Sequence, residues 1–153
     1  MISRDDLQTS LNQWHSQGEK IVFTNGCFDI LHYGHIDYLE KAKSLGDRLI
    51  VGINSDSSVT KLKGPHRPIQ DEYSRQAIMA ALSCVDVVIL FSEATPLNLI
   101  HFVKPDILVK GGDWDLEAIV GSSFVASYGG QVKTIPYIEG YSTTSIERKI
   151  KNL

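Results

Sequence analysis

The sequence contains little cysteine and no long hydrophobic run. Only Cys27 and Cys84 occur among the 153 residues, and they do not form a CxxC pair. The sequence therefore indicates neither a zinc ribbon nor a disulfide framework. The longest apolar run, Val85–Phe91, is interrupted by Asp86 and falls far short of the roughly 20 residues that a membrane-spanning helix needs. We therefore expect no membrane span.

Basic charge is not in excess either. The chain has 15 Lys and Arg residues against 18 Asp and Glu residues, a formal net charge of −3. Nucleic-acid-binding proteins usually concentrate an excess of basic residues on one face, so nucleic acid is not an expected partner. The N-terminal residues include Asp5 and Asp6 and lack the apolar core of a secretory signal, which predicts a cytoplasmic protein. The length and the 42% hydrophobic content fit a single domain over residues 1–153.

Strand and helix patterns alternate along the chain. Leu7, Leu11 and Trp14 recur at helical spacing and predict an N-terminal helix that is capped by Ser3 and ends near Gly18. Further strands are predicted over residues 20–24, 48–53, 85–91, 106–110 and 131–135, and further helices over 34–45, 71–83, 96–103, 116–128 and 145–150. Because the strands are continuous apolar runs that alternate with helices, we predict an α/β fold with a doubly wound, Rossmann-like parallel sheet. Ligands of such sheets bind beyond the carboxyl ends of the strands.

The loop after the first strand of this predicted sheet has the strongest chemical signal. It contains Asn25–His35, with the sequence NGCFDILHYGH. Glycine at its start permits close backbone approach, and the amides of residues 26–28 and the helix start at Gly34 offer donors for a phosphate. His32 and His35 are three residues apart, so both imidazoles can reach one small site. There they can donate hydrogen bonds to a charged phosphoryl transition state without a covalent intermediate.

Three alternatives to phosphate chemistry stay open at this loop. The two histidines can be purely structural. Asp29, His32 and His35 can bind a metal ion, although no further Cys or His cluster completes the coordination sphere. Cys27 can act as a nucleophile beside a histidine, although no third group orients the pair. The combination of a glycine turn, two histidines and a helix start favours phosphate chemistry over all three.

A cluster of cations follows the second predicted strand. Lys61, Lys63 and Arg67 place three positive charges within seven positions of an acidic chain. A mobile basic loop of this kind can close over a triphosphate or a sugar phosphate and neutralise developing charge. The alternative is a solvated basic loop without a ligand.

Three later features also suit a phosphorylated ligand. Arg75 either reaches a phosphate or pairs with Asp71 or Glu72 on the surface of its own helix. The paired glycines within Lys110–Trp114 follow the fourth strand and permit close approach of a nucleotide or sugar. The residues Ser142–Ser145 precede the last predicted helix and supply at least a good N-cap.

The loop sequence resembles the HxGH nucleotidyltransferases of the cytidylyltransferase-like family. Further segments are similar to the D-glycero-β-D-manno-heptose 1-phosphate adenylyltransferases, namely residues 54–56 (NSD), 61–69 (KLKGPHRPI), 105–114 (PDILVKGGDW) and 140–144 (GYSTT). The resemblance extends over most of the chain. It implies transfer of AMP from ATP to the sugar 1-phosphate, with release of pyrophosphate, to make ADP-heptose for lipopolysaccharide core. It also implies Mg²⁺ that accompanies ATP, and a homodimer.

The residues at these positions form three groups of candidates. The candidate catalytic residues are His32, His35 and Lys63. The candidate nucleotide-binding residues are Thr24, Asn25, Gly26, Cys27, Phe28, Gly34, Lys110, Gly112, Asp113, Ser142, Thr143 and Thr144. The candidate substrate-binding residues are Asp29, Asp56, Arg67, Arg75 and Trp114, and no metal site made of protein ligands alone is predicted.

Two other functions stay open. One is a cytidylyltransferase that acts on glycerol 3-phosphate or a similar alcohol phosphate. Such relatives typically place an arginine three residues before the glycine of the final motif, where this chain has Tyr137 before Gly140. The other is a nucleotide-binding domain without catalytic activity, against which the intact His32 and His35 argue.

Overall fold

A five-stranded sheet forms the centre of the computed structural model, which describes residues 2–153. Its strands are β1 (Ile21–Gly26), β2 (Arg48–Asn54), β3 (Val87–Phe91), β4 (Ile107–Gly111) and β5 (Gln131–Ile135). The helices are α1 (Arg4–Ser16), α2 (Tyr33–Lys43), α3 (Asp56–Lys63), α4 (Glu72–Ala80), α5 (Leu97–Val103), α6 (Ser122–Ser127) and α7 (Thr143–Lys151). All paired strands are parallel, in the order β3-β2-β1-β4-β5. No helix within residues 2–153 has both the length and the apolar character to cross a bilayer.

Two apolar layers cover the two faces of the sheet. Ile21 and Phe23 of β1 belong to the layer that contains the buried residues of α1, α5 and α6. Val22 belongs to the opposite layer, with the buried apolar side chains of α2 and α4. Successive residues of a strand point to opposite faces, so a strand covered on both sides must be apolar throughout. The predicted doubly wound α/β fold is confirmed.

The ends of α1 follow the predicted signals. The side chain of Ser3 accepts a hydrogen bond from the Asp6 amide at 3.1 Å, which caps the helix. Gly18 then adopts a positive φ of 71°, a conformation that glycine tolerates without steric cost. The boundaries of this helix therefore follow from local chemistry.

Two segments differ from the sequence-based expectation. The basic segment after β2 is not a mobile loop throughout, because residues 56–63 form α3, which Ser55 caps by accepting a hydrogen bond from the Ser58 amide. The helix predicted over residues 116–128 is interrupted, because Gly121 has a φ of 88° and a Cβ there would lie 2.8 Å from Ile100. A short 3₁₀ turn, Leu116–Ala118, precedes this break and α6 follows it.

The sheet opens between the carboxyl ends of the neighbouring strands β1 and β4. β1 pairs with β2 along its whole length, from Ile21 to Gly26. Its pairing with β4 is limited to Val22 opposite Ile107 and Phe23 opposite Leu108. Chain connections leave β1 and β4 towards different sides, which is the topological switch point where α/β sheets bind ligands. The gap between these strands is therefore the expected place for a site.

Candidate active site

The loop after β1 is held in an unusual backbone conformation. Phe28 has a positive φ of 47°, which is rare for a bulky residue and is found mainly where the surroundings enforce it. A Cβ at Gly26 would lie 2.9 Å from the Phe28 ring, so glycine is needed there for the ring to fold back over the chain. The turn therefore depends on both residues.

Arg75 fixes this turn from the interior. Its side chain is fully buried and donates hydrogen bonds to the carbonyl oxygens of Cys27 at 2.6 Å and Gln70 at 3.0 Å, and to Asp56 Oδ1 at 2.8 Å. Neither predicted alternative, a phosphate contact or a surface pair with Asp71 or Glu72, describes these contacts. A guanidinium with no exposed surface is out of reach of a ligand, so Arg75 positions the loop and holds Asp56.

Asp29 is likewise engaged within the protein. It is only 4% exposed and accepts hydrogen bonds from the amides of Ile69 and Gln70 and from Arg67. Burial alone would raise the pKa of Asp29, but these donors outweigh it and lower the pKa below its usual value. The carboxylate thus joins the β1 loop to the segment between α3 and α4. Among residues 2–153, no three or more His, Cys, Asp or Glu residues form a group that could hold a metal ion.

His32 and His35 form a stacked pair at the start of α2. Their ring centroids are 3.8 Å apart with an interplanar angle of 22°, and the Phe28 ring meets His35 edge-on at 5.3 Å. Gly34 lies between the two histidines in the sequence. A glycine suits this position because a Cβ there would lie 3.1 Å from His32 Nδ1 and 3.2 Å from Tyr141 Cβ. The sequence spacing therefore does bring both imidazoles together.

The electrostatics of the pair favour neutral rings. Burial lowers the pKa of His35 from 6.5 to about 4, and the nearby His32 and Lys63 act in the same direction. Burial lowers the pKa of His32 as well. The Nδ1 atoms of both rings are buried without a hydrogen-bond partner among residues 2–153. Buried polar atoms normally have partners, so this pair has unused hydrogen-bonding capacity.

A cavity of about 190 Å³ lies beside His35, at the gap between β1 and β4. It is lined by residues of six separate segments: Asn25, Gly26, Cys27, Phe28, His35, Tyr38, Lys63, Lys110, Gly111, Tyr137 and Thr143. Larger surface cavities lie near the edge strands β3 and β5, but neither is lined by a histidine or a lysine. The residues predicted to act on phosphates, including His35, Lys63 and Lys110, therefore line the cavity of about 190 Å³, which we call the cationic cavity.

The two lysines of this cavity come from different elements. Lys63 is in the last turn of α3, and Lys110 is in β4. Burial lowers the pKa of Lys110, although the neighbouring Cys27 opposes the shift. An anion bound between the lysines would offset that cost of burying a charge.

A second, smaller cavity of about 120 Å³ shares Asn25 and Lys110 with the first. Its other lining residues are Pro96, Leu108, Val109, Trp114, Ala118, Ile119 and Val120. Trp114 is fixed there because its indole Nε1 donates to the Gly111 carbonyl at 3.0 Å, and the Lys110 ammonium lies 5.9 Å from its ring. This cavity is mainly apolar and adjoins a cationic one, an arrangement that suits an aromatic base attached to phosphates.

The start of α7 borders the first cavity. Ser142 caps the helix, as predicted, by accepting a hydrogen bond from the Ser145 amide at 3.0 Å. Thr143 lines the cavity, and its hydroxyl donates to the Ile30 carbonyl at 3.5 Å. The free amides of a helix N-terminus attract phosphate, so its place beside the lysines is chemically consistent.

The structure brings together about half of the residues predicted for the site. Asn25, Gly26, Cys27, Phe28, His35, Lys63, Lys110 and Thr143 line one cavity, His32 stacks on His35, Gly34 lies between them, and Trp114 lines the adjoining cavity. The others do not line either cavity: Thr24, Asp29, Asp56, Arg67, Arg75, Gly112, Asp113, Ser142 and Thr144. Thr24 is buried against the Tyr38 hydroxyl at 2.6 Å, whereas Asp113 and Thr144 are exposed.

Three further residues of the cavity wall are not among the site residues predicted from the sequence. Tyr38 follows the apolar periodicity of α2 and gives no separate signal. Gly111 lies inside the motif after β4, and a Cβ there would lie 2.6 Å from the Tyr137 ring. Tyr137 stands where cytidylyltransferases that act on glycerol 3-phosphate typically have an arginine. This difference is the signal that could have assigned Tyr137 to the site.

Comparison with known proteins identifies the family. Residues 23–149 match the model of the cytidylyltransferase-like family. The chain is 53% identical over 147 residues to "Bifunctional protein HldE" of Nitrobacter hamburgensis, covering 96% of this chain and 30% of that protein. It is 51% identical over 152 residues to the protein of the same name from Pseudomonas fluorescens, covering 99% and 32%. The chain thus spans about a third of the length of the curated relatives it matches.

Solved structures agree with this assignment. A lipopolysaccharide core biosynthesis protein from Thermoplasma volcanium is 38% identical with a TM-score of 0.66, and the match covers 82% of this chain and all of that one. Pantoate-beta-alanine ligase from Francisella tularensis, at 18% identity and a TM-score of 0.62, covers 100% of this chain and 77% of its own and shares the fold. The resemblance inferred from the sequence is confirmed, and the chain belongs to the cytidylyltransferase-like family.

Proposed function

We propose that this protein is an adenylyltransferase that transfers AMP from ATP to D-glycero-β-D-manno-heptose 1-phosphate. The products are ADP-heptose, which is used for lipopolysaccharide core, and pyrophosphate. The observation that carries the proposal is the cavity at the gap between β1 and β4, where a histidine pair, two lysines and a helix start converge. The motifs quoted above support the sugar substrate, and the similar protein from Thermoplasma volcanium is named for lipopolysaccharide core biosynthesis.

The proposed reaction joins two phosphates directly. An oxygen of the sugar 1-phosphate forms a bond to the α-phosphorus of ATP, and the bond from that phosphorus to the bridging oxygen of the β-phosphate breaks. The departing pyrophosphate takes that oxygen with its electron pair, so no covalent enzyme intermediate is needed. Such reactions depend on positioning and on screening of charge, which are the tasks that a preorganised polar cavity performs.

His32 and His35 supply hydrogen-bond donors in this proposal. A neutral imidazole has one N–H donor, and the lowered pKa values keep both rings neutral at pH 7 before the substrate binds. Negative charge on the phosphates favours protonation in the complex, which would add a second donor to a ring. In either state the pair donates to the oxygens of the α-phosphate without acting as a nucleophile.

The cations and α7 hold the other phosphates. Lys63 and Lys110 face the cavity from different elements, and the amides at the start of α7 add donors beside Thr143. The apolar cavity beside Trp114 receives the nucleoside. No Asp or Glu is among the residues that line the main cavity, so Mg²⁺ would be held there through ATP and would screen the charge of its phosphates.

A pyrophosphate-release assay with Mg²⁺ tests the proposal. ATP and CTP are each combined with β-heptose 1-phosphate and with glycerol 3-phosphate, and the expected result is release only with ATP and the heptose phosphate. Release with CTP and glycerol 3-phosphate would retain the chemistry but replace the substrates. The absence of release from every combination, together with ATP binding in calorimetry, would indicate a nucleotide-binding domain without catalytic activity.

The state of the protein in the cell is part of the same proposal. We expect a homodimer in the cytoplasm, where ATP is available. Sedimentation velocity at micromolar concentration distinguishes a dimer from a monomer, and fractionation of cells locates the activity.

A further inference from the structure

Helix α7 contributes to the cavity although it is weakly attached to the protein. None of its residues is buried. The Thr143 hydroxyl reaches the Ile30 carbonyl only at 3.5 Å, near the limit for a hydrogen bond. Just before the helix, Tyr141 meets Tyr33 edge-on at 5.2 Å. A helix that buries so little apolar surface needs another contact to hold its N-terminus beside the histidine pair.

One guanidinium supplies such a contact. Arg67, in the segment between α3 and α4, donates from Nη1 to Asp29 Oδ2 at 3.1 Å and from Nη2 to Glu147 Oε1. Asp29 belongs to the loop that precedes the histidine pair, and Glu147 lies one turn after Thr143 on α7. Arg67 therefore connects the loop of the histidines with the helix whose start borders the cavity.

The two ends of this bridge differ in their other partners. Asp29 also accepts hydrogen bonds from the amides of Ile69 and Gln70, so its place in the loop does not depend on Arg67 alone. For Glu147, Arg67 is the polar partner found among residues 2–153. Removing the charge of Glu147 should thus loosen α7 and leave the loop of the histidines in place.

We propose that Arg67 and Glu147 are positioning residues that set the separation between the N-terminus of α7 and the histidine pair. The inference rests on the proposed function, because it assumes that both elements bind one triphosphate. It replaces the predicted role of Arg67 as a substrate ligand, since both contacts of its guanidinium are within the protein. Fixing the two elements in advance lowers the entropic cost of binding a ligand that touches both.

The affinity for ATP is the quantity that this bridge controls. Glu147→Gln removes the charge from this contact and leaves a weaker neutral acceptor, so α7 is held less firmly and ATP binding should weaken by about five- to tenfold. The histidine pair stays in place, so kcat at saturating ATP should change much less than KM. Lys149→Gln, which changes an exposed charge on the same helix, is the matched control and should leave both values unchanged.

A double-variant cycle separates positioning from a general loss of stability. Thr143→Ala removes a group at the start of α7, and calorimetry gives the dissociation constant of MgATP for each single variant and for the double variant. If Glu147 acts through the helix start, the double variant is little worse than the weaker-binding single variant, whereas independent effects multiply. Multiplying effects, or unchanged affinity in Glu147→Gln, would overturn the proposal.

Two further measurements make the result unambiguous. Thermal unfolding should be similar for Glu147→Gln and Lys149→Gln, and Arg67→Lys, which retains charge but loses the forked geometry, should weaken ATP binding in the same direction. Calorimetry does not require turnover, so the bridge is tested even if pyrophosphate is not released. Failure of the bridge with normal wild-type release leaves the proposed function intact.

Discussion

The role of the histidine pair is most directly tested by His35→Ala. The variant removes one donor to the charge that develops at the α-phosphate. Removal of a comparable donor in other enzymes lowers kcat by about 10²–10³, or about 3–4 kcal/mol of barrier. Because the His35 ring is stacked on His32 and touches Phe28 at its edge, lost packing should also lower the free energy of unfolding by about 1–2 kcal/mol. The expected variant is therefore folded and nearly inactive.

The control for this experiment is another histidine in an aromatic contact. His101 lies on α5 with its ring 4.0 Å from that of Phe124 and lines neither cavity of the site. His101→Ala should change the free energy of unfolding by a similar amount and leave pyrophosphate release intact. Urea unfolding and the release assay are run on both variants. A folded His35→Ala protein that releases pyrophosphate at nearly the wild-type rate would refute the role assigned to the pair.

Three further predictions follow from individual side chains. Lys63→Ala should raise KM for ATP or lower kcat in the release assay, and no change in either would identify the basic segment as solvated surface. Arg75→Met removes the donors of three acceptors and should lower the free energy of unfolding in urea by about 3 kcal/mol, whereas the exposed Arg148→Met should have little effect. Because the pKa of His35 is about 4 in the folded protein and near 6.5 in the unfolded chain, the unfolded state binds more protons between these values, so stability falls as pH decreases through that window. The slope, measured by thermal unfolding, should be smaller for His35→Ala.

The parts of the fold that could be predicted are those with a strong local signal. Residues 21–23 and 49–51 are continuous apolar runs, and Ser3 and Gly18 mark the ends of α1 by their own chemistry. Helix α3 has a weaker signal, because Val59 is its one buried apolar residue and its Ser and Thr residues favour caps and turns. At Gly121 the positive φ breaks the helix, and the apolar pattern on either side does not show it; the nearby Ile100 side chain leaves no room there for a larger residue.

The site shows the same division between local and long-range information. The histidine pair follows from spacing on a single helix start, so it could be found from the sequence. Arg75 and Arg67 are of the residue type that often binds phosphate, so the sequence alone suggests ligand contacts for both. Their partners in the structure are protein groups that lie 19 to 80 positions away in the chain, except for the nearby Gln70 carbonyl. Only the folded arrangement distinguishes a cation that binds a ligand from one that holds the walls of the site.

Strands β1 and β4 pair only near their first residues, and this affects which amino-acid substitutions the site tolerates. Beyond Phe23 and Leu108, the facing edges of these strands are not joined to each other, although β1 still pairs with β2 and β4 with β5. Main-chain amides and carbonyls along that gap are open to a ligand, and every residue type supplies them. Recognition through the backbone survives many side-chain substitutions, so drift at positions such as Asn25 should alter affinity gradually. A bulkier residue at Gly26 or Gly111 would instead collide with the Phe28 or Tyr137 ring in the wall of the cavity.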